Sequence, residues 1–339
     1  MQKWILGAAA LAMVATCAVA QRGQRLPAEC RREVAQKCTN AGGRQAAIAC
    51  IRQKAQAGEF SEGCTMALVK ILEGRHARAN VPVGGNELSY GNHAKQTLDF
   101  YRVKGAVQRP PLVIFIHGGG WAIGDKKSGT GDKARHFTTN GYAFASLNYR
   151  LVPDADPAGQ AIDVAEAIAY LRGREQELNF DPDRIVISGH SAGAHLAALV
   201  SSDERYFKNA GVPLSAIRGT VLLDGAGYDV ATQMNSGGGP LLTKLYTSAF
   251  GTDEANQKRL SPITYAASPN VGNWLIIHDA SRIDAANQAR NFATALGKAG
   301  ETAQILPVPD SSHSKINHDV GAGDNLITRE FDAFLKSVL

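Results

Sequence analysis

The feature that most constrains this chain is a serine enclosed by glycines, in the segment Gly189–Gly193. The apolar run Arg184–Ser188 before it predicts a strand, and the run Ala194–Val200 after it has a helical pattern. A sharp turn from a strand into a helix needs small residues, because the two elements press against it. Such a turn strains the serine backbone and presents its hydroxyl to a base and a substrate. We therefore predict that Ser191 is a nucleophile.

Apolar runs and helical stripes alternate along the chain. Leu112–Ile116 is apolar without interruption, which is typical of a central parallel strand that is buried on both faces. Helical stripes occur within residues 161–171, 285–296 and 327–338. The alternation predicts an α/β fold with a doubly wound sheet. The other predicted strands are Leu98–Val103, Tyr142–Tyr149, Val221–Asp224, Trp274–His278 and Ala303–Val308.

A second glycine-rich segment, His117–Gly120, directly follows one of these strands. Glycines let the backbone approach a ligand closely and direct N–H groups at it. Acyl transfer needs such donors, because its tetrahedral intermediate carries negative charge on the former carbonyl oxygen. In the serine turn, Ala192 supplies a further N–H group. Phosphate binding is the alternative, but the segment has neither G-x-G-x-x-G nor the lysine of a P-loop.

A nucleophilic serine needs a base, and the chain contains nine histidines. In such sites the base follows the last strand, in the chain order serine, acid, histidine. His313 comes directly after the predicted strand Ala303–Val308 and is our candidate, with His318 as the alternative. For His117 we expect an ordering hydrogen bond, and for His195 a packing role.

These motifs together resemble the α/β-hydrolase superfamily, in the branch of hormone-sensitive-lipase-like and feruloyl-esterase-like carboxylesterases. The resemblance covers about residues 85–339 and rests on His117–Trp121, Asn148–Leu151, Gly189–Gly193 and the region of His313. It implies an eight-stranded, mostly parallel sheet. It also implies hydrolysis of small esters with no cofactor and no metal.

The resemblance assigns roles to individual residues. Ser191 would attack the ester and His313 would transfer the proton. The N–H groups of Gly119, Gly120 and Ala192 would hold the oxyanion. Trp121 and His190 are the candidate substrate contacts, although the His190 side chain is expected to point away from Ser191. Arylformamidases of the same fold have a similar glycine loop, so amide or formamide hydrolysis is a second hypothesis. A binding protein with a passive hydrolase fold is a third.

The acid of the site is harder to place. These esterases usually have His-Gly after a strand such as Trp274–Ile277 and an aspartate a few residues later, whereas this chain has the segment His278–Asp284. Asp284 lies just before a predicted helix, where its side chain can turn toward His313 or cap that helix. Asp279 follows the strand end directly, so the strand directs its side chain. We predict Asp284 as the acid and keep Asp279 as the alternative.

Residues 1–20 have the pattern of a secretory signal peptide, with Lys3 before the apolar run Trp4–Ala15 and small residues at Ala18–Ala20. We therefore expect a secreted or periplasmic protein, and no later stretch is long enough to predict a membrane span. The formal net charge of +5 is spread along the chain. Since no basic run is interleaved with aromatic residues, we expect no nucleic-acid partner.

Four cysteines lie close together in a segment with helical patterns: Cys30, Cys38, Cys50 and Cys64. An even number in a secreted segment indicates two disulfides. An antiparallel hairpin of the first two helices brings Cys38 near Cys50 and leaves Cys30 for Cys64. Zinc binding is the alternative, but the segment has no C-x-x-C pair.

The cysteine spacing is similar to the cysteine-rich repeat of Golgi-type cysteine-rich proteins. That resemblance implies a small helical module that contacts a glycan or a protein or covers the catalytic domain. We place this module at residues 21–78 and the catalytic domain at residues 79–339.

Overall fold

The computed structural model describes residues 26–38, 44–56, 59–61, 63–68, 85–106, 108–127, 130–236, 239–267 and 269–339. The predicted signal peptide and the predicted boundary between residues 78 and 79 lie outside the described residues. Two compact units are present, one formed by the N-terminal residues with residues 239–244 and the other by residues 85–236 and 245–339. None of the helices in these ranges is both long enough and apolar enough to cross a bilayer.

The larger unit is built on an eight-stranded sheet. Its strands are β1 (Asn86–Ser89), β2 (Thr97–Tyr101), β3 (Leu112–Ile116), β4 (Ala143–Leu147), β5 (Ile185–His190), β6 (Ile217–Leu223), β7 (Asn273–Asp279) and β8 (Thr302–Val308). The order across the sheet is β1-β2-β4-β3-β5-β6-β7-β8. Strand β2 runs antiparallel to both of its neighbours, and all other neighbours are parallel. The predicted doubly wound α/β fold is confirmed.

Burial explains which strands the sequence reveals. Every residue of β3, β4 and β5 is buried, so each strand is a short run of apolar or small residues, apart from His190 at the end of β5. Strand β1 is mostly exposed and has no apolar pattern, and it escaped prediction for that reason.

Helices cover the two faces of the sheet. On one face, Leu275 and Ile277 of β7 share a core cluster with Phe331. Successive residues of a strand point to opposite faces, and Trp274 packs edge-on against Phe292 on the other face, with ring centroids 5.3 Å apart. The helices of this unit are Lys133–Thr139, Pro157–Arg172, Glu175–Leu178, Ala192–Ser202, Glu204–Asn209, Val230–Asn235, Glu254–Arg259, Ile283–Lys298, His313–Asp319 and Leu326–Val338, with 3₁₀ turns at Leu214–Ala216 and Pro262–Tyr265. The helix Gly239–Phe250 begins in the other unit.

The N-terminal unit contains the helices Ala28–Lys37 and Arg44–Gln56 and a helical turn at residues 63–68. Both predicted disulfides are present, Cys30–Cys64 and Cys38–Cys50. All four sulfur atoms are therefore bonded, which excludes the zinc alternative. The bridges accompany a small apolar cluster of Leu26, Cys30, Val34, Ile51, Ala55, Phe60, Cys64 and Leu68.

Candidate active site

The serine turn joins β5 to the helix Ala192–Ser202. Ser191 is half-buried and has φ 56° and ψ −120°, a conformation that is strained for a residue with a side chain. A Cβ atom on Gly193 would lie 2.2 Å from the carbonyl oxygen of Ile116 in β3, so only glycine fits there. The turn thus has the tight, strained geometry that the sequence predicts. Within the described residues, the Ser191 hydroxyl makes no hydrogen bond.

The glycine loop after β3 lies beside this serine. A Cβ atom on Gly118 would be 3.0 Å from the Ser191 Cβ. Gly119 has φ 129°, which a residue with a side chain rarely adopts. Its carbonyl accepts the N–H groups of Ala122 at 3.2 Å and Ile123 at 3.0 Å, which closes the loop into a compact turn.

The predicted oxyanion donors are backbone N–H groups of the glycine loop and the serine turn. In the described part of the chain, the N–H groups of Gly119, Gly120 and Ala192 donate to no other residue. Gly119 and Gly120 follow the glycine next to Ser191, and Ala192 follows the serine itself. The three donors therefore belong to the two segments that meet at the serine.

His117 orders the start of the glycine loop. It is 1% exposed, and its Nδ1–H donates to the carbonyl of Gly118 at 2.7 Å. Its ring stacks on Tyr149 at 4.4 Å between centroids, and the Tyr149 hydroxyl donates to the His117 carbonyl at 2.9 Å. Burial lowers the pKa of His117 to about 4, so the ring is neutral at physiological pH. The predicted ordering hydrogen bond is confirmed.

Trp121 and His195 pack behind the glycine loop. The Trp121 indole N–H donates to His195 Nδ1 at 3.3 Å, and His195 Nε2–H donates to the Leu260 carbonyl at 2.9 Å. Burial lowers the pKa of His195 to about 4. The packing role of His195 is confirmed. Trp121 is 3% exposed and has the rings of Tyr246 and Phe250 edge-on to it, so it presents almost no surface to a substrate.

His313 meets a carboxylate, and that carboxylate is Asp224. His313 opens the helix His313–Asp319 after β8, and its Nδ1 lies 2.6 Å from Asp224 Oδ2. The Asp224 side chain is fully buried, whereas that of His313 is 42% exposed. The other carboxylate oxygen, Oδ1, accepts the backbone N–H of Asp279 at 2.9 Å. Nδ1–H is thus committed to Asp224, which leaves Nε2 of His313 as the basic nitrogen.

A guanidinium shares the same carboxylate. Arg282 Nη1 lies 2.5 Å from Asp224 Oδ2 and 3.0 Å from His313 Nδ1, and its Nη2 donates to Asp284 at 3.0 Å. Burial alone would raise the pKa of Asp224, but the hydrogen bond from His313 and the charge of Arg282 outweigh it and lower that pKa well below its usual range. Burial likewise opposes the charge of Arg282, and the two carboxylates overcome it and raise its pKa.

This geometry corrects the expected partner of the histidine. Asp284, the predicted acid, instead accepts hydrogen bonds from Arg282 and, at 3.3 Å, from Gln233 Nε2. It lies in the first turn of its helix, which Arg282 precedes as the N-cap residue. Asp279, the alternative, is the last residue of β7 and accepts the N–H and hydroxyl groups of Ser281 at 2.9 and 2.8 Å. Neither carboxylate pairs with His313.

The reason lies in the pairing of β6 with β7. The Asp224 N–H donates to the carbonyl of Ile277 at 2.7 Å, and the Asp279 N–H returns to the Asp224 side chain. These bonds fix Asp224 at the point where β6 and β7 end side by side. Its carboxylate then lies beside His313, which follows β8. The signal was present in the sequence: Asp224 ends an apolar run and precedes a glycine, which is a strand end. No pattern in the sequence pointed to Arg282.

His190, at the end of β5, binds the backbone of His313. Its Nε2–H donates to the His313 carbonyl at 2.9 Å, and the ring centroids are 4.5 Å apart. Burial, with His313 nearby, lowers the pKa of His190 well below its usual value, so this ring is a neutral donor. His318 lies in the last turn of the helix that His313 opens, and it is His313 that meets Asp224. The role of His190 as a substrate contact stays a prediction.

Among the described residues, no group of three or more His, Cys, Asp or Glu side chains is placed to hold a metal ion.

The fold and the site together define an α/β-hydrolase. A strained serine lies between β5 and a helix, a glycine loop follows β3, and a histidine follows β8. The sequence profile of the BD-FAE family matches residues 98–296. The chain belongs to the BD-FAE family.

Two curated relatives illustrate the similarity. The chain is 27% identical over 242 residues to esterase LipQ of Mycobacterium tuberculosis, covering 68% of this chain and 56% of the relative. It is 24% identical over 249 residues to a probable isoprenylcysteine alpha-carbonyl methylesterase of Arabidopsis thaliana, covering 69% of this chain and 52% of that protein. The chain thus spans about half the length of the curated relatives that it matches.

The fold also occurs in solved structures. Esterase B from Lactobacillus rhamnosis superposes with a TM-score of 0.66 at 24% identity, covering 86% of this chain and 97% of the other. This likeness supports the eight-stranded fold and says nothing of substrate.

Proposed function

We propose that the protein is a serine carboxylesterase that hydrolyses small esters, with Ser191 as nucleophile, His313 as base and Asp224 as acid. The observation that carries the proposal is the 2.6 Å hydrogen bond between His313 and the buried Asp224. Both residues adjoin the serine turn, because the Ser191 N–H donates to the carbonyl of Leu223 and His190 binds the carbonyl of His313. The names of the two curated relatives, an esterase and a probable methylesterase, support the same reaction class.

In the first half of the reaction, His313 Nε2 removes the proton from Ser191 Oγ as this oxygen attacks the ester carbonyl. Asp224 accepts Nδ1–H, holds the required tautomer and stabilises the imidazolium that forms. The N–H groups of Gly119, Gly120 and Ala192 donate to the oxyanion of the tetrahedral intermediate. The intermediate collapses when the alcohol leaves with the proton carried by His313.

In the second half, His313 takes a proton from water, and the resulting hydroxide attacks the acyl-enzyme. A second tetrahedral intermediate forms in the same oxyanion hole. The proton returns from His313 to Ser191 Oγ, and the carboxylic acid is released.

We also propose that this chemistry takes place outside the cytoplasm. The signal-peptide pattern of residues 1–20 and the two disulfides support a secreted or periplasmic protein. Contact of the cysteine-rich unit with a glycan or a protein stays a prediction.

The test is turnover of p-nitrophenyl acetate and butyrate by the wild type and by Ser191→Ala. We expect the variant to lose several orders of magnitude in kcat while it keeps its circular dichroism spectrum, because triad members act as a unit. Ser248→Ala, which changes an exposed serine on another helix, is the matched control. Retention of more than about a tenth of the wild-type kcat in Ser191→Ala would disprove the nucleophile assignment.

A substrate panel then separates the remaining hypotheses. It contains feruloyl esters, acetylated xylan and N-formylkynurenine, each tested with the wild type and Ser191→Ala. Preference for the formamide over every ester would replace esterase by formamidase. Absence of turnover on all of them and on the nitrophenyl esters would favour the binding protein.

A further inference from the structure

We propose that Arg282 is a positioning residue of this site: its guanidinium fixes Asp224 against His313, and its charge keeps His313 able to accept a proton at lower pH than the pair alone would allow. The inference rests on the proposed function, because it concerns the base of the same reaction.

The contacts place a cation directly against the imidazole. Arg282 Nη1 and His313 Nδ1 lie 2.5 and 2.6 Å from the same oxygen of Asp224, and 3.0 Å from each other. Arginine only donates hydrogen bonds, and Nδ1 carries the hydrogen that Asp224 accepts. The two nitrogens therefore cannot bond to each other, and both bind Oδ2. The shared oxygen holds the positive charge beside the ring.

Two opposite effects meet at His313. A buried carboxylate favours the imidazolium, and an imidazolium cannot serve as the base for Ser191. The positive charge of Arg282, which binds the same carboxylate oxygen, makes protonation of His313 less favourable. Since Nη2 of Arg282 is bound to Asp284, the guanidinium is held at both ends.

Among the described residues, none of the other polar groups around His313 binds the Asp224 oxygen that His313 and Arg282 share. His190 on β5 is neutral and binds the backbone of His313. Lys133 donates to the carbonyl of Asn317, in the helix that begins with His313. Burial lowers the pKa of Lys133 to about 7. Lys315 and Asp319 of that helix pair with each other. Asp279 directs its side chain to Ser281.

The experiment is the pH dependence of kcat/KM for p-nitrophenyl acetate in three variants. In Arg282→Met, no cation opposes the attraction of Asp224 for a protonated His313. We therefore expect the acid limb, which is the fall of kcat/KM at low pH, to move to higher pH by about one unit or more. Arg282→Lys keeps the charge, and its acid limb should stay within about 0.3 units of the wild type even if kcat falls. Asp284→Asn removes the anion that offsets Arg282, so its acid limb should move to lower pH.

Opposite shifts in Arg282→Met and Asp284→Asn are the signature of the proposal, since a purely structural role gives a lower kcat with an unmoved limb. Unmoved limbs in both variants, or shifts of the same sign, would overturn it. If thermal melts show that Arg282→Met does not fold, Asp284→Asn still decides the sign of the shift, and Arg282→Lys checks that a retained charge leaves the pH profile unmoved. The matched control is Arg290→Met, an exposed arginine on the same helix, whose profile should equal that of the wild type.

The outcome is separable from that of the proposed function. An inactive Ser191→Ala together with unmoved acid limbs would leave the esterase in place and reject the role of Arg282. An active Ser191→Ala would reject the triad itself.

Discussion

Carboxylates lie at or near the ends of both β6 and β7, and the two strand ends use them in different ways. After β6, the carboxylate of Asp224 has no exposed surface and accepts bonds from three residues. The loop after β7 carries Arg282 and is flanked by two carboxylates, Asp279 at the end of the strand and Asp284 in the first turn of the helix, and the Asp284 side chain is 30% exposed. The position of a carboxylate relative to its strand therefore does not decide whether it meets the histidine. The charges and donors that face it decide.

The two loops form one network. Asp284, Arg282 and Asp224 alternate in charge, Asp224 binds His313, and the successive contacts measure 3.0, 2.5 and 2.6 Å. The residue predicted as the acid is thus the outer anion of a chain whose inner anion holds the histidine. The comparison predicts that substitution of the inner carboxylate, Asp224, lowers kcat far more than substitution of the outer carboxylate, Asp284.

The largest effect is expected for Asp224→Asn, with a loss of about 10⁴-fold in kcat at pH 7. Without the carboxylate, Arg282 is free to donate to His313 Nδ1, which stabilises the tautomer that has no basic Nε2. The measurement is kcat for p-nitrophenyl acetate with a thermal melt. As a control, the double variant Asp224→Asn/Arg282→Met should recover part of this loss. A loss below about tenfold in Asp224→Asn, beside a large one in Asp284→Asn, would return the acid to the loop after β7.

A second effect concerns stability in acid. The folded state lowers the pKa of Asp224, so its contribution to the free energy of unfolding is fully present above the unfolded value of about 3.9 and is lost as the pH falls toward the folded value. We expect a contribution of about 3 kcal/mol at pH 7. Urea unfolding of the wild type and Asp224→Asn from pH 7 to pH 3 measures it. The gap between the two proteins should narrow below about pH 4, and a constant gap would contradict the linkage.

The smallest effect is expected for Asp284→Asn at pH 7, with kcat within about fivefold of the wild type, because partly exposed ion pairs contribute little. Asparagine still offers an oxygen to Arg282 Nη2. The measurement is kcat at pH 7 under the conditions used for Asp224→Asn, so that the two loops are compared directly. A loss approaching that of Asp224→Asn would remove the distinction between the inner and outer carboxylates.

The serine turn, the glycine loop and the base could be predicted because each leaves a signal within a short stretch of sequence. The Ser191 turn needs small neighbours, and the order of serine and histidine follows the strands, so each can be recognised within a few residues. Asp224 could not be assigned in this way, because its role depends on which strand lies beside β6 and on a cation from a different loop. Strand β1 was missed for another reason, since an exposed edge strand needs no apolar side chains.

The bridges of the N-terminal unit are nested, since the Cys38–Cys50 pair lies inside the loop that Cys30–Cys64 closes. This nesting gives oxidative folding a preferred order. The inner pair is 12 residues apart and the outer pair 34, so closing the inner loop first costs about 0.9 kcal/mol less chain entropy. Once it has closed, the two remaining thiols have only each other as partners. A first bridge between the neighbouring cysteines Cys30 and Cys38, in contrast, must be reduced or exchanged before the native pairs can form.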